Sequence, residues 1–153
     1  MRKKELFRMN GLGTRVLSIS VVAVFIASLA ACVAAIPVAV KMYKDADTVK
    51  LTMQVTGKAP DIYAAMVKSQ MKKSPHTEVI KDDRENLEFE GKKAEGEVKF
   101  WGHWKAKQLE GNKTEVKFRL RGEGIEEEAL EKRALAGIHA FCAEIGEQCQ
   151  IEK

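Results

Sequence analysis

Residues 96–121, GEVKFWGHWKAKQLEGNKTEVKFRLR, decide the fold. Val98, Phe100, Gly102, Trp104 and Ala106 take every second position, and Lys99, Trp101, His103, Lys105 and Lys107 lie between them. That period of two belongs to a strand with one buried and one wet face. Glu110-Gly111-Asn112-Lys113 supplies residue types that accept positive φ and reads as a hairpin turn. Val116, Phe118 and Leu120 then point inward, with Glu115, Lys117, Arg119 and Arg121 outward. An antiparallel pair with a single apolar face requires a second layer to cover it.

The flanking sequence provides that layer. Upstream, Val49, Leu51, Met53 and Val55 alternate with polar residues in another strand, ended by Gly57. Pro60-Asp61 opens a helix, with proline in the first turn and an acid at the positive end of the dipole. Ile62, Tyr63, Met66, Val67, Gln70 and Met71 recur at helical spacing until Ser74-Pro75. Short strands are expected at 77–81 and 86–90, joined through Asp82-Asp83-Arg84. Downstream, Glu126, Glu127 and Glu128 start a second helix, whose stripe is Leu130, Ala134, Ile138, Phe141 and Ile145, with Gly146 as its stop. The order β-α-β-β-β-β-α, with one apolar face per element, predicts an α+β two-layer sandwich: an antiparallel sheet with both helices on one face. Leu51, Met53, Met66, Phe89, Phe100, Trp104, Phe118, Ile138 and Phe141 are the expected core.

The chain has 153 residues and a net charge of +4. Of its 26 basic and 22 acidic side chains, Arg2, Lys3, Lys4, Arg8 and Arg15 against Glu5 lie in residues 1–31, which leaves 21 of each in the body. The basic excess is a leader flank rather than a polyanion footprint, so no nucleic-acid partner is expected. Residues 16–40 carry no charge, and within them stands Leu29-Ala30-Ala31-Cys32. This tetrapeptide, behind a basic start and an apolar run, resembles the lipobox of bacterial lipoproteins.

That resemblance implies cleavage before Cys32, lipidation (diacylglyceryl and palmitate chains) on its thiol, and attachment to membrane lipid. Val33 in place of aspartate implies the outer membrane, with the domain facing the periplasm. The alternative is an uncleaved single-pass anchor with Cys32 inside the helix; both readings place the domain outside the cytoplasm. The expected organisation is residues 1–31 as signal peptide, 32–47 as lipidated apolar stretch and short linker, and 48–153 as the domain. Together with its element order the chain is similar to a family of short uncharacterised bacterial lipoproteins, which implies a cell-envelope role and supplies no catalytic residues. The strand, the Ala59-Pro60-Asp61-Ile62-Tyr63 helix start, the antiparallel strands and the long last helix also resemble a shortened helix-grip domain, which implies a site for an apolar ligand.

Cys142 and Cys149 form an even pair for an oxidising compartment. Seven residues along a helix rise about 10.5 Å, so a bond between them requires the chain to turn back after Gly146; otherwise Cys142 is a small core residue and Cys149 a free thiol. Trp101 and His103, with Lys99, Lys117 and Arg119 on the same outward face, form a candidate binding patch for an envelope protein or anionic glycan. The alternative there is a solvated face whose cations pair with Glu88, Glu90 and Glu115. His76, His103 and His139 stand on separate elements with no metal-ligand spacing around them, and no nucleophile motif occurs. The sequence therefore predicts no metal, no cofactor and no enzyme. It predicts an anchored envelope protein with a structural or binding role, or else a carrier of a lipid or small apolar ligand, with a hydrolase assembled from residues distant in sequence as the third class.

Overall fold

The computed structural model describes residues 37–152. Strands β1 (Val38–Asp45) and β2 (Thr48–Thr56) lead into helix α1 (Ala59–Lys73). There follow β3 (Glu78–Asp83), β4 (Glu88–Glu95), β5 (Val98–Gln108), β6 (Lys113–Glu123), helix α2 (Glu127–Glu144) and β7 (Cys149–Glu152). One seven-stranded sheet runs β3-β4-β5-β6-β2-β1-β7, antiparallel except for the β1–β7 pair. Both helices contribute their apolar stripes to the same core, which makes the α+β two-layer sandwich that the alternation predicts. All nine expected core residues are buried. Leu51 pairs with Phe118, and Phe118 with Trp104 on the next strand. The Trp104 ring packs 4.2 Å from Phe118 and 5.6 Å from Phe141 of α2, by centroid.

Two elements differ from expectation. The stretch expected to end as linker is β1, so the domain begins near residue 38 and not at 48. Val38, Val40 and Met42 alternate with Ala39, Lys41 and Tyr43, and Val40 is fully buried. In the sequence this strand is hidden because its apolar residues continue an already apolar run. The second is β7, whose four residues are too few to show a period. Within β3, the expected turn residues Asp82 and Asp83 belong to the strand, and the turn proper spans 84–87, where Asp83 accepts the Asn86 main-chain N–H at 2.9 Å.

The end of α2 explains how β7 forms. Gly146 adopts φ +72°, its N–H donates to the Ala143 carbonyl and that of Glu147 to the Cys142 carbonyl, so the chain reverses in two residues. Cys149 is thereby returned to within 6.1 Å of Cys142, Cα to Cα, and the two are disulfide-bonded. The Val38 N–H then donates to the Gln148 carbonyl, starting the parallel pairing of β7 with β1. The leader with Leu29-Ala30-Ala31-Cys32 lies outside the described residues. Among the described residues no helix is long and apolar enough to cross a membrane.

Candidate functional site

The two faces of the sheet offer two different surfaces. On the outward face Lys99, Trp101 and His103 of β5 lie beside Lys117 and Arg119 of β6, as the alternation requires, with His103 in register with Arg119 on one side and Glu90 on the other. The patch is thus assembled, but its apolar centre is occupied. Lys92 and Arg121 stand over the Trp101 ring at 5.7 and 5.5 Å, and Arg121 also reaches Asp47 at 2.9 Å. Lys105 bridges across strands to Glu88 at 2.6 Å, one of the expected neutralising pairs, while Glu115 is met by Lys117 of its own strand at 3.2 Å. Glu88, held by Lys105 and Lys81, has a pKa lowered to about 2. Desolvation, reinforced by Arg119, pulls the His103 pKa below its ordinary value.

On the helix side, a cleft of about 350 Å³ opens between the C-terminal end of α1, the middle of α2 and strands β4 to β6. Phe100, Phe118 and Leu120 form its apolar floor, and Lys73, Lys93, Glu95 and Arg133 stand around it. Its volume lies at the lower end of the range usual for small-molecule sites, ~300–1,000 Å³. Three glycines line it, and they are glycine for different reasons. A Cβ on Gly91 would fall 2.5 Å from the Thr77 methyl, so packing excludes one there. A Cβ on Gly102 or on Gly137 would meet only the Phe118 ring, at 3.9 Å, an ordinary contact. Neither of these two has positive φ. Glycine in mid-helix or mid-strand costs about 0.5–1 kcal/mol against alanine; at these two positions neither backbone nor packing calls for it, and what it leaves is space facing the cleft.

Around the cleft the charges are tied together unevenly. Arg133 makes two bonds to Glu95, at 2.7 and 2.5 Å, and its guanidinium lies 3.8 Å from the Phe100 ring centroid. Lys93 joins the same carboxylate at 2.7 Å, and Arg133 and Lys93 together hold the Glu95 pKa down at about 2. Lys73, on the last turn of α1, donates to the Ala136 main-chain carbonyl of α2. Desolvation and then the Arg133 charge lower its pKa.

A second hollow lies between α1 and the β3–β4 turn, but its polar groups satisfy each other: the Tyr63 hydroxyl donates to Asp82 at 2.6 Å, with the Glu88 carbonyl at 3.0 Å. Burial, and then that bond, push the Tyr63 pKa up. Among the described residues no three of His, Cys, Asp and Glu converge to hold a metal.

The outward patch comes together as the alternation draws it, whereas nothing in the sequence singles out the cleft residues Lys73, Lys93, Glu95, Gly102, Arg133 and Gly137. The available signal was a glycine inside each of two otherwise well-patterned elements. No family model and no curated protein matches the chain. Among solved structures, the Zhui aromatase/cyclase of Streptomyces sp. R1128 superposes with TM-score 0.48 at 14% identity, over 67% of this chain and 94% of that one. A protein of Thermus thermophilus gives 0.44 at 14% identity, over 64% and 93%. A conserved protein of unknown function from Enterococcus faecalis gives 0.39 at 9% identity, over 71% and 77%.

Proposed function

We propose that the domain is a non-enzymatic binding module for a small amphipathic ligand, carried on the outer side of a bacterial membrane by its leader. The observation that supports binding is the pair Gly102 and Gly137, two glycines that tight packing does not require and that face one cleft. Glycine inside a strand often marks close approach of a ligand. The strongly lowered carboxylates support a non-catalytic reading. Glu88 and Glu95 are neutralised by cations, and Asp83 is held by hydrogen bonds from the Asn86 main chain and side chain, which suits fixed architecture rather than proton transfer.

Anchoring rests on Leu29-Ala30-Ala31-Cys32 behind a basic start, and on a body that is formally neutral. Several acyl chains, at about 0.8 kcal/mol per buried CH₂, give lasting attachment. Mature protein is expected to lack residues 1–31 and to carry lipid on Cys32, and Cys32→Ala to lose both; an unmodified chain of full mass points to the uncleaved anchor instead. For the cleft, Gly137→Leu places an apolar side chain in the space and is expected to abolish ligand capture while the domain stays folded. Capture that survives both Gly137→Leu and Gly102→Val removes the cleft as the site.

A further inference from the structure

The cations around the cleft outnumber the anions. Lys73, Lys93 and Arg133 stand around it with one carboxylate, Glu95, which is already bonded by Lys93 and Arg133. Among the described residues Lys73 has no carboxylate within salt-bridge distance, and its ammonium group rests on the Ala136 carbonyl. Other lysines, Lys72 and Lys99 among them, are also without a salt bridge, but among the described residues Lys73 is the one that lines the cleft with its ammonium group held against a main-chain carbonyl. A cation left beside a second cation, on the edge of an apolar cleft, is the arrangement an incoming anion completes.

We propose that the cleft selects a ligand with a compact apolar body and a single carboxylate, the body on Phe100 and Phe118 and the carboxylate received by Lys73 beside Arg133. This rests on the reading of the cleft as a binding site. The apolar floor has no partner for a second charge, and the small volume disfavours a two-chain lipid. Arg133 is held over the Phe100 ring and two-pronged on Glu95, so it offers a fixed positive field. Lys73, on its flexible stem, is the group free to move onto the ligand.

The test uses the full-length chain in lipid nanodiscs, with empty nanodiscs as the blank. Two probes of one shape are titrated by calorimetry, 2-naphthoate and uncharged 2-naphthylmethanol. The carboxylate is expected to bind about tenfold more tightly, since charge-assisted hydrogen bonds are roughly twice as strong as neutral ones. Lys73→Gln is expected to bring naphthoate down to the level of the alcohol and leave the alcohol unchanged, with an unaltered melting temperature. Gly137→Leu, with Gly102→Val as a second block, is expected to abolish both. Equal affinity of the wild type for the two probes, or equal loss of both in Lys73→Gln, overturns the carboxylate assignment and leaves the cleft standing. Binding of neither probe, or binding indifferent to both blocking variants, overturns the cleft itself.

Discussion

Trp101 and Trp104 lie three residues apart on β5 and point to opposite sides of the sheet, where different physics holds them. Trp104 is buried between Phe118 and Phe141, and its indole N–H has no acceptor. Trp101 is partly buried and lies under Lys92 and Arg121. The inner face is therefore kept by shape, with an unpaired donor tolerated because the ring fills its space. The outer face is kept by pairing of charges that water also solvates. Damage to the inner face should cost several times more than damage to the outer one.

The largest effect tests this difference directly. Trp104→Ala is expected to destabilise the domain by about 3–5 kcal/mol through the cavity it leaves, and Trp101→Ala by no more than about 1 kcal/mol, the worth of its cation contacts. Urea midpoints of the two variants measure it, and equal large losses would mean that both indoles are core. Trp104→Phe sharpens the point. It removes the unpaired N–H, whose burial costs about 1–3 kcal/mol, so its loss should be far smaller than that of alanine.

Next comes the margin of the inner face, where Cys149 and Ile151 extend the core beyond Val38 and Val40. Opening the Cys142–Cys149 bond releases a loop of only a few residues, worth about 2–3 kcal/mol by loop closure, and frees β7 from α2. Cys149→Ser should lower the thermal midpoint and raise amide exchange selectively in β1 and β7. Uniform exchange across the sheet would show that β7 is not a separate margin.

The inner and outer faces differ in how far the sequence discloses them. Period-two alternation around Trp104 and Phe118 assigns the apolar inward residues of β2, β5 and β6, because a buried face tolerates no slip of register, but it leaves out Thr114 and Gly122, which are buried on the same face of β6. The same alternation assembles the outward patch of Lys99, Trp101, His103, Lys117 and Arg119. It does not say that Lys92 and Arg121 sit on Trp101, because Lys92 comes from β4, which runs five residues past the end that its pattern suggests. The β1 strand is concealed by the apolar leader that precedes it. The cleft is concealed for a different reason: Lys73, Glu95 and Arg133 lie on three elements, and only the packing of α1 against α2 brings them together.

A smaller effect places one carboxylate from each face in direct comparison. Glu88 on the outer face and Glu95 beside the cleft both titrate at about 2 in the folded chain against an ordinary 4.5. Each therefore contributes stability that is full above pH 4.5 and drains as the pH falls toward 2. Glu88→Gln and Glu95→Gln should each lower the melting temperature slightly at pH 7, where the contribution is full, and flatten its decline across that window, so that variant and wild type converge near pH 2. Glu95 is exposed and Glu88 only partly buried among solvated lysines, which keeps the effect small. If the carboxylate assignment for the cleft holds, Glu95→Gln should also tighten 2-naphthoate at pH 7, because it frees Arg133 and Lys93, whereas Glu88→Gln should not.

The smallest effect belongs to His103, at the centre of the outward face. Desolvation is the main reason its imidazolium is disfavoured, and the Arg119 guanidinium in register beside it adds to this, while Glu88 and Glu90 oppose. The folded pKa thus lies below the ordinary 6.5, so the unfolded chain binds the proton more readily. Stability should be unaffected above about pH 7 and should fall as the pH drops through 6.5 to the folded value. Proton NMR of the His103 ring should show a midpoint below 6.5, and Arg119→Gln should raise it part of the way by removing one of the disfavouring causes. An anionic partner seated on this face would neutralise Arg119 and supply the missing counter-charge, which moves the same midpoint upward. Titration with an anionic glycan fragment then separates a binding face from a solvated one: a raised His103 midpoint identifies the former, and an unmoved midpoint at saturating fragment leaves the outward face to its own ion pairs.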